Sequence, residues 1–172
     1  MATEAALRTT LVMGVGNTLL QDDGVGVHVI SALAEAARNG FPSLDGGVEL
    51  VDAGTLGLAL LPKLEAADEV IVVDASELGV PPGTLHVFRG REIDEMLSRR
   101  RRSVHEVALL DLFAAAALRG CCPPRRALVA IQPGSTDWGL EPTAPVAAAI
   151  PVACETVLEL IDHWRLPEPQ VA

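Results

Sequence analysis

Apolar residues along this chain fall into two kinds of run that alternate from one end to the other. Short unbroken runs occur at Thr10 to Val15 (TLVMGV), Val48 to Val51, Val70 to Val73 and Ala127 to Ile131. Each has the length and β-branched content of a buried strand. Between them apolar residues recur three and four apart, as helices require. Val29, Ile30, Leu33 and Ala37 form one such stripe and stop at Asn39-Gly40; a shorter helix passes through Leu60 and Leu64. Further helices are expected from about Val104 to Arg119 and from Thr143 to Trp164, with Arg89 to Arg102 read as a polar, basic connection between strand and helix. Pro145 suits the first turn of the last helix, whereas Pro151 is expected to kink or split it. Thr84 to Phe88, entered through Pro81-Pro82-Gly83, reads as an edge strand of open direction. The alternation predicts a doubly wound α/β fold: a three-layer sandwich with a mostly parallel five-stranded sheet and helices on both faces. With no repeat or linker, residues 1–172 are expected to form a single domain.

Composition narrows the picture. Hydrophobic residues make up 49% of the chain while tyrosine is absent, so aliphatic side chains must fill the core. A net charge of -10 repels phosphate backbones and argues against nucleic acid as a partner. The first residues lack a basic segment followed by a long apolar run, and no unbroken run of about eighteen apolar residues appears. A protein with no membrane association is therefore expected. Cys121-Cys122 and Cys154 match neither a metal knuckle nor an even disulfide framework, which fits reduced cysteines and a cytoplasmic location.

In open parallel sheets the working groups collect beyond the carboxyl ends of the strands. Asp22 and Asp23 follow the first strand, Asp52 ends the second, and Asp74 ends the very apolar Val70 to Val73. A carboxylate placed there is costly unless it is paired or liganded. Ser103-Val-His-Glu106 has capping-box spacing, which puts His105 in the first turn of its helix. There the helix dipole opposes protonation and leaves imidazole able to donate a lone pair. Asp23, Asp74 and His105 together make a plausible site for one divalent metal, with coordination positions left for substrate or water. Residue type alone does not select nickel over zinc.

Each candidate also has a purely structural reading. Asp23 can cap the first helix, although Asp22 can do so in its place; Asp74 can be satisfied by turn amides; His105 can be an ordinary polar residue. Asp52, Gly54 and Thr55 either form a turn and cap or contribute to the same crevice. Gln132 to Gly139 is either a connector or a rim loop that meets substrate through Trp138. Arg99 to Arg102 is either a solvated run or a docking patch. His28, His86 and His163 are assigned surface or satisfied roles.

Gly14-Val-Gly16 begins like a dinucleotide-binding turn, yet Leu19 stands where the third glycine should permit close packing of helix on strand. Asp22 and Asp23 add negative charge where a pyrophosphate would sit. No G-x-S-x-G elbow is present, and neither Cys121 nor Cys122 has an evident activating base.

Gly14-Val-Gly-Asn-Thr-Leu-Leu-Gln-Asp-Asp-Gly-Val-Gly26 closely resembles the opening motif of the nickel-iron hydrogenase maturation endopeptidases. The resemblance continues in order through Asp52-Ala-Gly-Thr55, Val72-Val-Asp-Ala75, Ser103-Val-His-Glu106 and Gln132-Pro133 to Gly139. It departs at Ala53, where many relatives have glycine. The resemblance implies an α/β sandwich around a twisted sheet, with Asp23, Asp74 and His105 as both metal-binding and catalytic residues. It also implies a substrate: the precursor of a nickel-iron hydrogenase large subunit, cut at its C-terminal extension after nickel insertion, with nickel supplied by that precursor. Asp52, Gly54, Thr55 and Trp138 are the expected substrate contacts, and a monomer is the expected state. The competing class is a non-enzymatic nickel-dependent chaperone that grips the same precursor uncut. A nucleotide-binding protein is the third.

Overall fold

The computed structural model describes residues 8–99 and 104–166. Five strands form one sheet in the order β2-β1-β3-β5-β4. They are β1 (Thr10–Val15), β2 (Val48–Gly54), β3 (Glu69–Ala75), β4 (Leu85–Arg89) and β5 (Arg125–Ile131). The first three and β5 run parallel, and β4 pairs antiparallel with β5 at the edge. The central strands β1 and β3 are buried along their whole length, as unbroken apolar runs demand.

Strand alternation divides the core in two. Val12, Ile71, Val73, Val129 and Ile131 face α1 (Val25–Arg38) and α5 (Ala144–Arg165). On the other side Leu11, Met13, Val70, Val72 and Leu128 meet α2 (Leu61–Glu65), α3 (Arg91–Arg99) and α4 (Val104–Leu118). Both faces are therefore covered, giving the three layers expected.

Two elements depart from the sequence reading. The connection before α4 contains α3, whose Ile93, Met96 and Leu97 are buried at helical spacing while Arg91, Glu92 and Glu95 are exposed. Burial of each such side chain contributes on the order of 2 kcal/mol, enough to order a helix of otherwise polar composition. α5 runs unbroken through Pro151. The proline's lost hydrogen bond falls on the outer side of a helix whose inner stripe, Val146, Ala149, Ala153, Val157, Leu160 and Ile161, is buried against the sheet. Packing of that stripe against the sheet carries the helix past the proline without splitting it. By length and composition alone α5 is apolar enough to cross a bilayer, although polar residues interrupt its apolar run.

At the opposite end of the sheet from the strand tips that carry the acidic motifs, buried Glu69 accepts Arg125 Nη1 at 3.0 Å and the Thr10 hydroxyl at 2.9 Å. Arg125 also donates to the Trp164 carbonyl at 2.7 Å, which ties α5 to the start of β5.

Candidate active site

The strand order reverses at β1, since the connection through α1 goes to β2 on one side and the connection through α2 returns to β3 on the other. The crevice opens at that switch point. Gly14 is level with Asp52 on one neighbour and with Val73 on the other, so Asp52, the loop after Val15, and Asp74 share one end of the sheet.

Glycines shape the loop that carries Asp23. Gly16 has φ +130°, and a Cβ there would lie 1.8 Å from the Asp23 carbonyl oxygen. A Cβ on Gly26 would lie 2.2 Å from the Val73 oxygen and 2.4 Å from that of Val15. The start of α1 therefore rests directly on the backbones of β1 and β3. Gly26 supplies the close helix-to-strand approach that the sequence reading found lacking at Leu19; the contact is real but comes from a glycine further along, after a tight turn at Gln21–Gly24.

That turn directs its two carboxylates to different tasks. Asp22 does not cap α1, whose N-cap is Gly24 without a side-chain bond. Fully buried, it accepts backbone N–H groups of Gly134 at 2.7 Å, Ser135 at 3.0 Å and Thr143 at 2.6 Å, and the Thr143 hydroxyl at 2.7 Å. Burial alone would raise its pKa, but these four donors outweigh it and hold the carboxyl below its ordinary value. The backbones join as well: Gln21 N–H donates to Gly139, Gly139 N–H to Leu19, and Asp22 N–H to Ser135. Asp23, 8% exposed, accepts the Asn17 N–H at 2.9 Å. The Asp22 anchor and this bond fix the turn on both sides of Asp23.

Asp74 is 1% exposed, and strand alternation puts it on the side of Val70 and Val72, the face that α4 covers. Ser76, two residues on, is also buried, and its hydroxyl has no hydrogen-bond partner among the described residues. His105 lies in the first turn of α4, the helical position expected; its side chain, the Ser103 cap and the arginine run at 100–102 lie outside what is described. One turn further along, Ala108 and Leu109 line a small apolar cavity with Met13, Val15, Gly54, Thr55 and Leu60. The N-terminal end of α4 thus stands at the same end of the sheet as both aspartates. Among the described residues no group of three or more His, Cys, Asp or Glu side chains is arranged to hold a metal ion.

Asp52 is exposed and its Oδ1 accepts the Gly54 N–H at 3.0 Å, closing a turn in which Gly54 takes φ +47°. Gly54 in turn accepts the Gly16 N–H at 3.0 Å. Thr55 is exposed at the crevice mouth, and Trp138 projects from the late loop at 81% exposure. Cys121 and Cys122 lie at the other end of the sheet, where burial, acting first, raises both thiol pKa values; an unreactive role fits them.

The arrangement matches a known family. A model described as "HycI: Hydrogenase maturation protease" matches residues 27–160. The chain belongs to the hydrogenase maturation protease family. This family member is accordingly a peptide-bond hydrolase. It is 39% identical over 157 residues to the hydrogenase expression/formation protein HupD of Rhodobacter capsulatus, covering 91% of this chain and 72% of that one. It is 35% identical over 150 residues to the hydrogenase 2 maturation protease of Escherichia coli K12, covering 86% and 87%. The hydrogenase maturating endopeptidase HybD from E. coli superposes with a TM-score of 0.82 at 30% identity, over 91% of this chain and 94% of that one. The family model begins after Asp23, so the carboxylate turn lies outside the matched span.

Proposed function

We propose that this protease removes the C-terminal extension of a nickel-iron hydrogenase large-subunit precursor after nickel insertion, recognising the nickel the precursor carries. The observation that carries the reading is the pair of buried carboxylates, Asp23 and Asp74, at the switch point of the sheet, at the same end as the first turn of α4, which holds His105. Two carboxylates and an imidazole suit a borderline divalent ion. They would hold the substrate's nickel and bring the scissile peptide beside it, with Asp23 or Asp74 accepting or returning a proton at a carboxylate oxygen. A bound divalent ion supplies polarisation of a carbonyl or water.

A protein substrate is supported by what surrounds the crevice. Leu19, Leu56, Leu58, Trp138 and Leu140 are exposed large apolar side chains, all on the connections that follow β1, β2 and β5 at this end of the sheet. Exposed apolar groups gathered around a polar centre mark a surface that another protein covers. Asp52, Gly54 and Thr55 border the same opening on the β2 side and would contact the extended tail.

The deciding experiment incubates the protein with nickel-loaded and nickel-free precursor and reads the mass of the large subunit, with His105→Ala as control. Loss of a C-terminal peptide only with nickel and intact His105 is expected. An intact tail in a stable complex with a verified loaded precursor would overturn cleavage in favour of a chaperone.

A further inference from the structure

Gln132 is buried at the point where β5 leaves the sheet, and every hydrogen-bonding position of its side-chain amide is occupied. Oε1 accepts the N–H groups of Leu78 at 2.6 Å and Gly79 at 3.0 Å. Nε2 donates to Glu77 Oε1 at 3.0 Å and to the Pro133 carbonyl at 2.9 Å. The orientation is fixed by its partners: turned over, the amide would set N–H against two N–H groups and oxygen against two oxygens.

The bonds extend the sheet where its backbone stops. Asp74 is level with Ala130 and Ala75 with Ile131, and Ser76 N–H donates to the Ile131 carbonyl at 2.9 Å as the last backbone rung. At the next residue the backbone of Gln132 serves the other side, donating to Thr84 and accepting from Gly83, both at 2.9 Å. Only the side chain remains for the β3 side, and it seizes the turn that follows Asp74.

We infer that Gln132 is a positioning residue for Asp74, its amide holding the Glu77–Gly79 turn so that the carboxylate at the end of β3 keeps its working orientation. The inference rests on the role of Asp74 proposed above. Gln132→Glu keeps the size and the acceptor but sets carboxylate against the Glu77 carboxylate. Adding Glu77→Gln restores a donor and an acceptor across the Glu77 contact with the polarity reversed, while the Pro133 carbonyl still loses its donor. Glu77→Gln alone keeps an oxygen that can accept from Gln132.

The test measures single-turnover processing of nickel-loaded precursor by wild type, Q132E, E77Q and the double variant. It is run at a temperature where circular dichroism shows each fully folded, and the amide resonances of Asp74 and Ser76 are recorded in the same proteins. Q132E is expected to process about tenfold or more slowly, as small displacements of reacting groups do, with displaced Asp74 and Ser76 resonances. The double variant is expected to recover a large part of both, short of full recovery because the Pro133 carbonyl lacks its donor, and E77Q to resemble wild type. Wild-type rates in Q132E, or a double variant as slow as Q132E, would overturn the inference. Should wild type itself leave a verified precursor uncut, the functional reading fails and the resonances decide: displaced in Q132E and restored in the double variant supports positioning, unmoved overturns it.

Discussion

Thr143 donates twice to Asp22 from 121 positions away in the chain, its backbone N–H reaching one carboxylate oxygen at 2.6 Å and its hydroxyl the other at 2.7 Å. Thr143 is also the residue from which α5 starts. One buried carboxylate therefore fixes the start of the last helix, the late loop and the turn that presents Asp23. Replacing Asp22 with alanine leaves three backbone N–H groups without their acceptor. The expected loss is about 3 kcal/mol of unfolding free energy, read from urea denaturation.

Acid should expose the same anchor. The folded pKa of Asp22 is depressed, so its contribution is complete above the unfolded value of about 3.9 and disappears as pH falls through the lower folded value. Wild type should lose more stability than Asp22→Asn as pH is lowered from 6 to about 2.5, so the two curves should draw together toward the acid end. Parallel curves over that range would rule out this role.

Gly26→Ala tests the close approach of α1. Its Cβ would meet backbone oxygens of both Val15 and Val73, neither of which can swing aside as a flexible side chain could. A loss of about 3 kcal/mol is expected, at the upper end of overpacking costs, together with reduced processing because α1 carries the Asp23 turn with it. Equal stability to wild type would show that the helix can lift without cost.

Glu69→Ala should destabilise by about 3 to 5 kcal/mol, since it leaves the Arg125 guanidinium without its buried carboxylate. Chemical denaturation measures the loss. Processing by the folded fraction should be unchanged, because Glu69 lies at the far end of β3 from Asp74.

Trp138→Ala separates docking from chemistry. The side chain is exposed and its loop is anchored through Gly139 and Asp22, so stability should hold within about 0.5 kcal/mol. KM for the precursor should rise with kcat little altered, as for a contact made equally in ground and transition states. A fall in kcat at constant KM would assign Trp138 to the reacting centre.

The strands were legible because β1, β3 and β5 are buried on both faces and so read as unbroken apolar runs. The positions of Asp74 at the end of β3 and of Asp23 in the turn beyond β1 followed from the same runs. Other features depend on partners far along the chain. The donors to Asp22 are 112 to 121 positions away, so local spacing could suggest only a helix cap. The Gln132 side-chain oxygen accepts from backbone amides 53 and 54 positions back in the chain. α3 was hidden by charges that outnumber its three buried residues. Gly26 was passed over because nucleotide-binding spacing expects its contact within one short turn, whereas this chain inserts the carboxylates first.

The position of β5 also orders events during synthesis. β4 is made before β5, yet β5 is its neighbour in the sheet and separates it from β3. An emerging chain that ends before Arg125 holds β4 without a strand to pair with, and leaves β3 open along its length on that side. Both edges close when one segment slides between them. Amide protection in β4 should therefore never precede that in β5 in a refolding pulse, and a ribosome that paused just after β4 would hold out an unpaired sheet edge for chaperones to shield.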